Sequence, residues 1–166
     1  QALDVSAIEL DMGSLISGGE FLGSRSSAQW GVSTIDGDGE TGYWPSLKLD
    51  STGYPHVAYN DSGRGQLKYA YWNGTSWVLE TVDGSGSTGY TPSMDLDSND
   101  YPHIVYSDDT NGYLRYAYKD STGWHLEIID SSGNGAFWGS IKVQSSGKVH
   151  VAYQDTTNMD LKYAQR

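Results

Sequence analysis

Trp30, Trp77 and Trp124 stand 47 residues apart, and from each of them the sequence overlays the next copy without insertion or deletion. Eleven columns are identical in all three copies, among them Asp36/Asp83/Asp130, His56/His103/His150, Tyr59/Tyr106/Tyr153, Asp61/Asp108/Asp155, Leu67/Leu114/Leu161 and Tyr69/Tyr116/Tyr163. An exact period of this kind means that one supersecondary unit is repeated, so the fold must be an array of such units. Apolar spacing near 3.6 residues is absent, which excludes helical repeats of similar length.

Each unit holds four short runs suited to strands, for example PSMDLD, PHIVYSD, LRYAYKD and WHLEIID, separated by Gly, Asn, Asp and Ser clusters that make turns. Within VAY, alternation puts Val57 and Tyr59 on one face and His56 and Ala58 on the other. Neither face is wholly polar, as expected of sheets covered on both sides. The fold class is therefore all-β: a β-propeller of four-stranded antiparallel blades, three blades per chain. Counting inner to outer strand as a to d, the chain reads d, abcd, abcd, abc, with 30–36 as an outer strand detached from its blade. Three blades are too few to enclose an axis. The expectation is a homodimer closing a six-bladed ring, each Trp30 strand completing the other copy's third blade. The domain division places a tail or linker at residues 1–29, outside the repeat, and the three-blade segment at 30–166. A reading as part of a longer propeller also remains open.

Composition narrows the partners. Ten Lys and Arg against 21 Asp and Glu give a net charge of -11, which repels nucleic acid and anionic lipid surfaces. No run approaches the roughly 18 apolar residues of a membrane span, so no membrane insertion is expected. There is no Cys, so disulfides and thiolate metal sites play no part. The first residue, Gln1, is compatible with removal of a signal, and Asn60-Asp61-Ser62 and Asn73-Gly74-Thr75 fit the glycosylation pattern. Both hints agree with an extracellular or cell-surface setting.

The units TGYWPSLKLDSTGYPHVAYNDSGRGQLKYAYWNGTSWVLETVD and TGYTPSMDLDSNDYPHIVYSDDTNGYLRYAYKDSTGWHLEIID resemble a bacterial and archaeal β-propeller repeat of exported proteins, near the Asp-box propellers. The resemblance covers residues 30–166. Gly74, Ser76 and Trp77 match the Gly, Thr and Trp of the Asp-box, whereas Ala70 and Trp72 stand where its Ser and Asp belong. What the resemblance implies is the fold and an exported setting, and little about activity.

Candidate chemistry is sparse. The three His recur at one place in separate blades, so packing is favoured over a metal site. Asp61, Asp108 and Asp155 with Lys68, Arg115 and Lys162 flank the b to c hairpin, which fits ion pairs or turn caps. The four Arg share no column, against a sialidase-like carboxylate clamp, and no isolated carboxylate pair breaks the repeat to mark a glycosidase. Asp36, Asp38 and Glu40 alternate as weak calcium candidates, although the next copy has Ser at two of the positions. No other cofactor is expected.

The informative departures are aromatic. Where strand a begins, the copies read Tyr43-Trp44, Tyr90-Thr91 and Phe137-Trp138, on the rim shared with Asp61, Asp108 and Asp155. Flat rings beside polar groups suit sugars, because the ring packs on C–H faces while polar atoms take the hydroxyls. The expectation is a non-enzymatic binding or adhesion module with carbohydrate as leading ligand class and equivalent sites between blades. A purely structural scaffold is the alternative, and a glycan-active enzyme the third.

Overall fold

The computed structural model describes residues 30–132 and 136–166. The sequence division at 1–29 lies outside the described residues. The chain divides into two units, Gln1–Ser33 and Thr34–Arg166.

No helix occurs among the described residues, which hold three antiparallel sheets. The first runs β1 (Tyr43–Leu49), β2 (Pro55–Asp61), β3 (Gln66–Trp72), β4 (Trp77–Asp83). The second is β5 (Thr88–Leu96), β6 (Pro102–Asp108), β7 (Tyr113–Asp120), β8 (Gly123–Asp130). The third contains β9 (Ala136–Val143), β10 (Val149–Asp155) and β11 (Asp160–Gln165). Each sheet is a meander in chain order, so these are propeller blades, three among the described residues. The strands fall where the repeat puts them because the turns recur with them, most closed by a side chain of their own and the β9–β10 turn by backbone bonds of Gln144 to Gly147 and Lys148. Asp50 Oδ1, for instance, accepts from the amides of Thr52 and Tyr54 at 2.9 and 2.8 Å, and Asp97 repeats this with Asn99 and Tyr101.

Segment 30–36, expected as an outer strand, forms none, and Trp30 is 93% exposed. A strand exists only with a ladder partner. β4 and β8, which share its columns, are held by β3 and β7 of their own blades.

Blades stack through two faces. The face turned toward the preceding blade carries Val57 and Tyr59, and its counterparts Ile104 and Tyr106; the opposite face carries Ala58, Leu67 and Tyr69. The alternation read from VAY is the one observed. Between the first and second blades, Ala58, Leu67 and Tyr69 pack on Met94, Ile104, Tyr106 and Ala117. Between the second and third, Leu114 and Tyr116 pack on Ile141, Val151 and Tyr153. Gly89 marks how close the approach is: φ is +80°, and a Cβ there would lie 2.6 Å from Leu67 Cα, so only glycine fits.

The invariant Asp36/Asp83/Asp130 column ties each blade to the segment before it. Tyr59, Tyr106 and Tyr153 donate their hydroxyls to Asp36, Asp83 and Asp130 at 2.7, 2.7 and 2.6 Å. On the inner strands the amides of Met94 and Ile141 donate to the hydroxyls of Ser46 and Ser93. The Ser46/Ser93/Ser140 identity thus has a cause in blade-to-blade registration.

The third blade concentrates its electrostatics in one triad. Lys162 Nζ lies 2.7 Å from Asp155 and 3.1 Å from Asp130. The Lys162 ammonium and the Asn158 side-chain amide, both donating to Asp155, hold it well below the usual carboxylate range. The hydroxyls of Ser132 and Tyr153 do the same for Asp130, while the two carboxylates push Lys162 up. A depressed carboxylate stabilises the fold above its unfolded value, about pH 4, and loses that contribution as pH falls through the folded value. A raised Lys contributes fully below about pH 10 and loses it above. The triad's contribution to the urea midpoint is therefore expected to be level from about pH 5 to 9 and to fall below about pH 4. Asp155→Asn should flatten the acid limb, and equal acid limbs in both proteins would contradict the role of the triad.

Candidate functional site

The candidate site grows from a defect in the inner strands. In β1 the ladder pairs Tyr43 with Asn60 and next Ser46 with Ala58, leaving Trp44 and Pro45 outside it. β5 skips Thr91 and Pro92 between Tyr90 and Ser93, and β9 skips Trp138 and Gly139 between Phe137 and Ser140. A proline cannot donate to the ladder, which favours a bulge where it stands. Trp44, Thr91 and Trp138 adopt φ of 49°, 45° and 52°, a left-handed conformation that is a genuine outlier for bulky side chains. The same strain recurs in all three blades, and strained backbone of this kind collects at functional sites.

The bulges bring the three columns together. Trp44, Pro45, Thr91, Pro92, Trp138 and Gly139 line one open hollow of about 300 Å³ where the inner strands meet. The Trp138 amide donates to the Thr91 hydroxyl at 3.4 Å. Trp44 lies 5.3 Å from Tyr90 and 5.7 Å from Tyr43 between ring centres, and Phe137 supports Trp138 at 5.8 Å. Trp44 and Trp138 remain 44% and 67% exposed, so their rings are offered to solvent rather than wedged between blades. The rings expected as separate equivalent sites between blades thus meet in one shared hollow, because the bulge turns each toward the common centre.

The carboxylates expected beside them lie elsewhere. Asp61, Asp108 and Asp155 are buried, with their oxygens already engaged. Asp61 accepts from the Arg64 amide and guanidinium, both at 3.0 Å. Asp108 accepts from the amide and side chain of Asn111 and pairs with Arg115 Nε at 2.6 Å. Asp155 accepts from the Thr157 amide and Asn158, besides Lys162. They cap the hairpin turns, as the ion-pair reading had it, and none lines the hollow. In the first blade the cation on Asp61 is Arg64, whereas the sequence pointed to Lys68. The aromatic residues Tyr43, Trp44, Tyr90, Phe137 and Trp138 therefore form the candidate set without Asp61, Asp108 and Asp155. Thr91, Pro45 and Pro92 join it; Trp-Pro and Thr-Pro were the available signal, since Pro inside a strand marks a bulge.

The histidines sit within single blades. His56, His103 and His150 Nδ1 lie 2.5, 2.5 and 2.6 Å from the hydroxyls of Tyr69, Tyr116 and Tyr163. Asp36 and Asp38 are occupied too, Asp36 by Tyr59 and the Asp38 amide, Asp38 by Arg64 at 3.0 Å. Among the described residues no cluster of three His, Asp or Glu could hold a metal ion, the Asp36, Asp38 and Glu40 turn included.

Comparison with known proteins adds the fold. No family model matches the chain, and no curated protein matches it. Among solved structures it is similar to a fucose lectin from Kordia zhangzhouensis, determined in complex with methyl-fucoside. The two share 18% identity at a TM-score of 0.53, over 74% of this chain and 91% of that one. At this identity the likeness is one of fold.

Proposed function

We propose that this chain is a non-catalytic carbohydrate-binding module, exported to the cell surface or medium, that takes a sugar on the Trp44 and Trp138 rings of the shared hollow. The observation that carries the reading is the pairing of strain with exposure. Two large apolar rings are held in water by backbone conformations that cost free energy in every blade, and burial elsewhere gives no return for it. An exposed indole flanked by a second ring suits the apolar face of a pyranose, and the Thr91 hydroxyl, which accepts from the Trp138 amide, retains its own proton to donate to a sugar oxygen. The fold neighbour is itself a lectin seen with methyl-fucoside, which supports a sugar as ligand class and makes a methyl-fucoside the first probe. Both features favour recognition over catalysis: the hollow is lined by rings, Pro, Thr and Gly, with no acid or base.

Trp44→Ala and Trp138→Ala are each expected to weaken glycan binding about 10-fold, equivalent to ~1.4 kcal/mol, with the melting temperature nearly unchanged. Glycan-array screening followed by calorimetry measures the first, and differential scanning the second. No binding by the parent chain to any glycan, together with lowered stability in both variants, would leave a structural scaffold as the reading.

A further inference from the structure

Of the columns buried at both joints inside the chain, Leu47 at one end and Leu161 and Tyr163 at the other are exposed, while Val57 and Tyr59 of the first blade are covered by Ile35 and Trp77 of the same chain. On the face turned toward the preceding blade, Met94 of β5 and Ile141 of β9 are buried, whereas Leu47, the same column on β1, is 58% exposed. On the face turned toward the following blade, Leu67 and Tyr69 of β3, like Leu114 and Tyr116 of β7, are buried. Leu161 and Tyr163, their counterparts on β11, are 85% and 60% exposed. Exposed apolar surface in registered columns marks an interface, and the repeat specifies what covers each face: the other one.

We propose that two copies of this chain join head to tail, the β11 face of each covering the β1 face of the other, and that the two equivalent joints close a six-bladed ring. Each joint pairs unlike faces, so two copies form a closed ring only if the rotation from blade to blade brings the last face onto the first, and six blades lie within the range that closes. The repeat also supplies the outer strand of the third blade. In the second blade Lys119 pairs with Trp124 and Leu114 with Asp130. Carried one copy on, Arg166 pairs with Trp30 of the partner subunit and Leu161 with Asp36 of the partner subunit.

A receiving groove exists for that tryptophan. Trp124 packs edge-on against Tyr69 of the preceding blade at 5.3 Å and donates Nε1 to Glu80 at 2.7 Å. One blade further on, Tyr116, Glu127, Ile129, Val149, Ala164 and Arg166 line a groove of about 260 Å³. There Arg166 pairs with Glu127 at 3.0 Å as Lys119 pairs with Glu80. The charge columns agree with this arrangement. The remaining copy has Ser33 where Glu80 and Glu127 stand, and Trp72 where Lys119 and Arg166 stand. Acid and cation are lost together, so the third joint type carries no unmatched charge.

The ring is independent of the glycan reading, and its test does not use a sugar. Light scattering of the full chain at tens of micromolar should give twice the chain mass. Leu161→Glu and Leu47→Glu, each on an exposed position, should each halve that mass while leaving the β circular-dichroism spectrum unchanged. Mixing the two variants should restore association, because one of the two joints then pairs two unaltered faces. Trp30→Ala should raise the dimer dissociation constant at least about 10-fold. A monomeric parent chain, open-ended oligomers, a Leu47→Glu variant that remains dimeric, or a mixture that stays monomeric would each overturn the proposal.

Discussion

Asp83→Ala is expected to lower the unfolding free energy by about 3 to 4 kcal/mol, at the upper end for a single side chain, by removing hydrogen bonds to a charged acceptor worth roughly 1.5 to 3 kcal/mol each. Asp83 ends the first blade's outer strand yet belongs functionally to the second blade. Its Oδ2 accepts from the buried Tyr106 hydroxyl at 2.7 Å and from Arg115 at 3.3 Å, while Oδ1 accepts from the Ser85 amide and hydroxyl. Alanine leaves the Tyr106 hydroxyl buried without its acceptor and removes one of the two carboxylates flanking Arg115; the other, Asp108, remains. Asp36→Ala is the internal comparison. It frees Tyr59 in the same way, but no cation lies in hydrogen-bonding contact with it and the site is more open, so a loss of about 1 kcal/mol is expected. Urea unfolding at constant m-value measures both, and a loss below about 1 kcal/mol for Asp83→Ala would mean that the column does not tie the blades together.

The repeat made the fold legible because identical columns report identical environments three times over, which averages out the ambiguity of any single strand. The site was legible only in part, for reasons visible at particular residues. The rings of Trp44 and Trp138 stood out because they share a column that is not constant, the second copy having Thr91 there. Their convergence depends on a bulge, and a bulge is a matter of ladder register, to which only Pro45 and Pro92 pointed. β1 consequently begins at Tyr43, where pairing resumes beyond the bulge with Asn60, two residues before Pro45. Asp61, Asp108 and Asp155 show the converse problem: a carboxylate in a turn looks the same in sequence whether it faces a ligand or its own hairpin amides. Its true partner column is Arg64/Asn111/Asn158, in which the residue type changes while the role, donating to the invariant Asp, is retained. Residues 30–36 show the limit of pattern itself, since they share the columns of β4 and β8 but lack the ladder partner that would make them a strand.

Trp124→Ala should cost about 3 kcal/mol, the low end for deleting a large aromatic side chain, because the ring is only half-buried. What it loses is specific to the joint between the first two blades. The indole edge contacts Tyr69, its Nε1 donates to Glu80, and Lys119, which pairs with the same Glu80, lies 5.7 Å over its face. Deleting the ring opens a cavity against Tyr69 and leaves Lys119 and Glu80 to hold that part of the joint. Trp77 occupies the same column in the first blade, where its ring neighbour is Trp72 at 5.9 Å and its apolar support comes from Val57, Tyr59 and Ala70 of its own blade. In a chain kept monomeric by Leu161→Glu, Trp77→Ala should therefore cost about 1 kcal/mol, near the worth of one aromatic pair. In the closed ring, Trp77 would meet Tyr163 of the partner subunit as Trp124 meets Tyr69, and its loss should rise toward the Trp124 value. Chemical denaturation of both variants in both backgrounds separates these outcomes: equal costs for Trp77→Ala with and without Leu161→Glu would mean that no blade from a second copy covers that face.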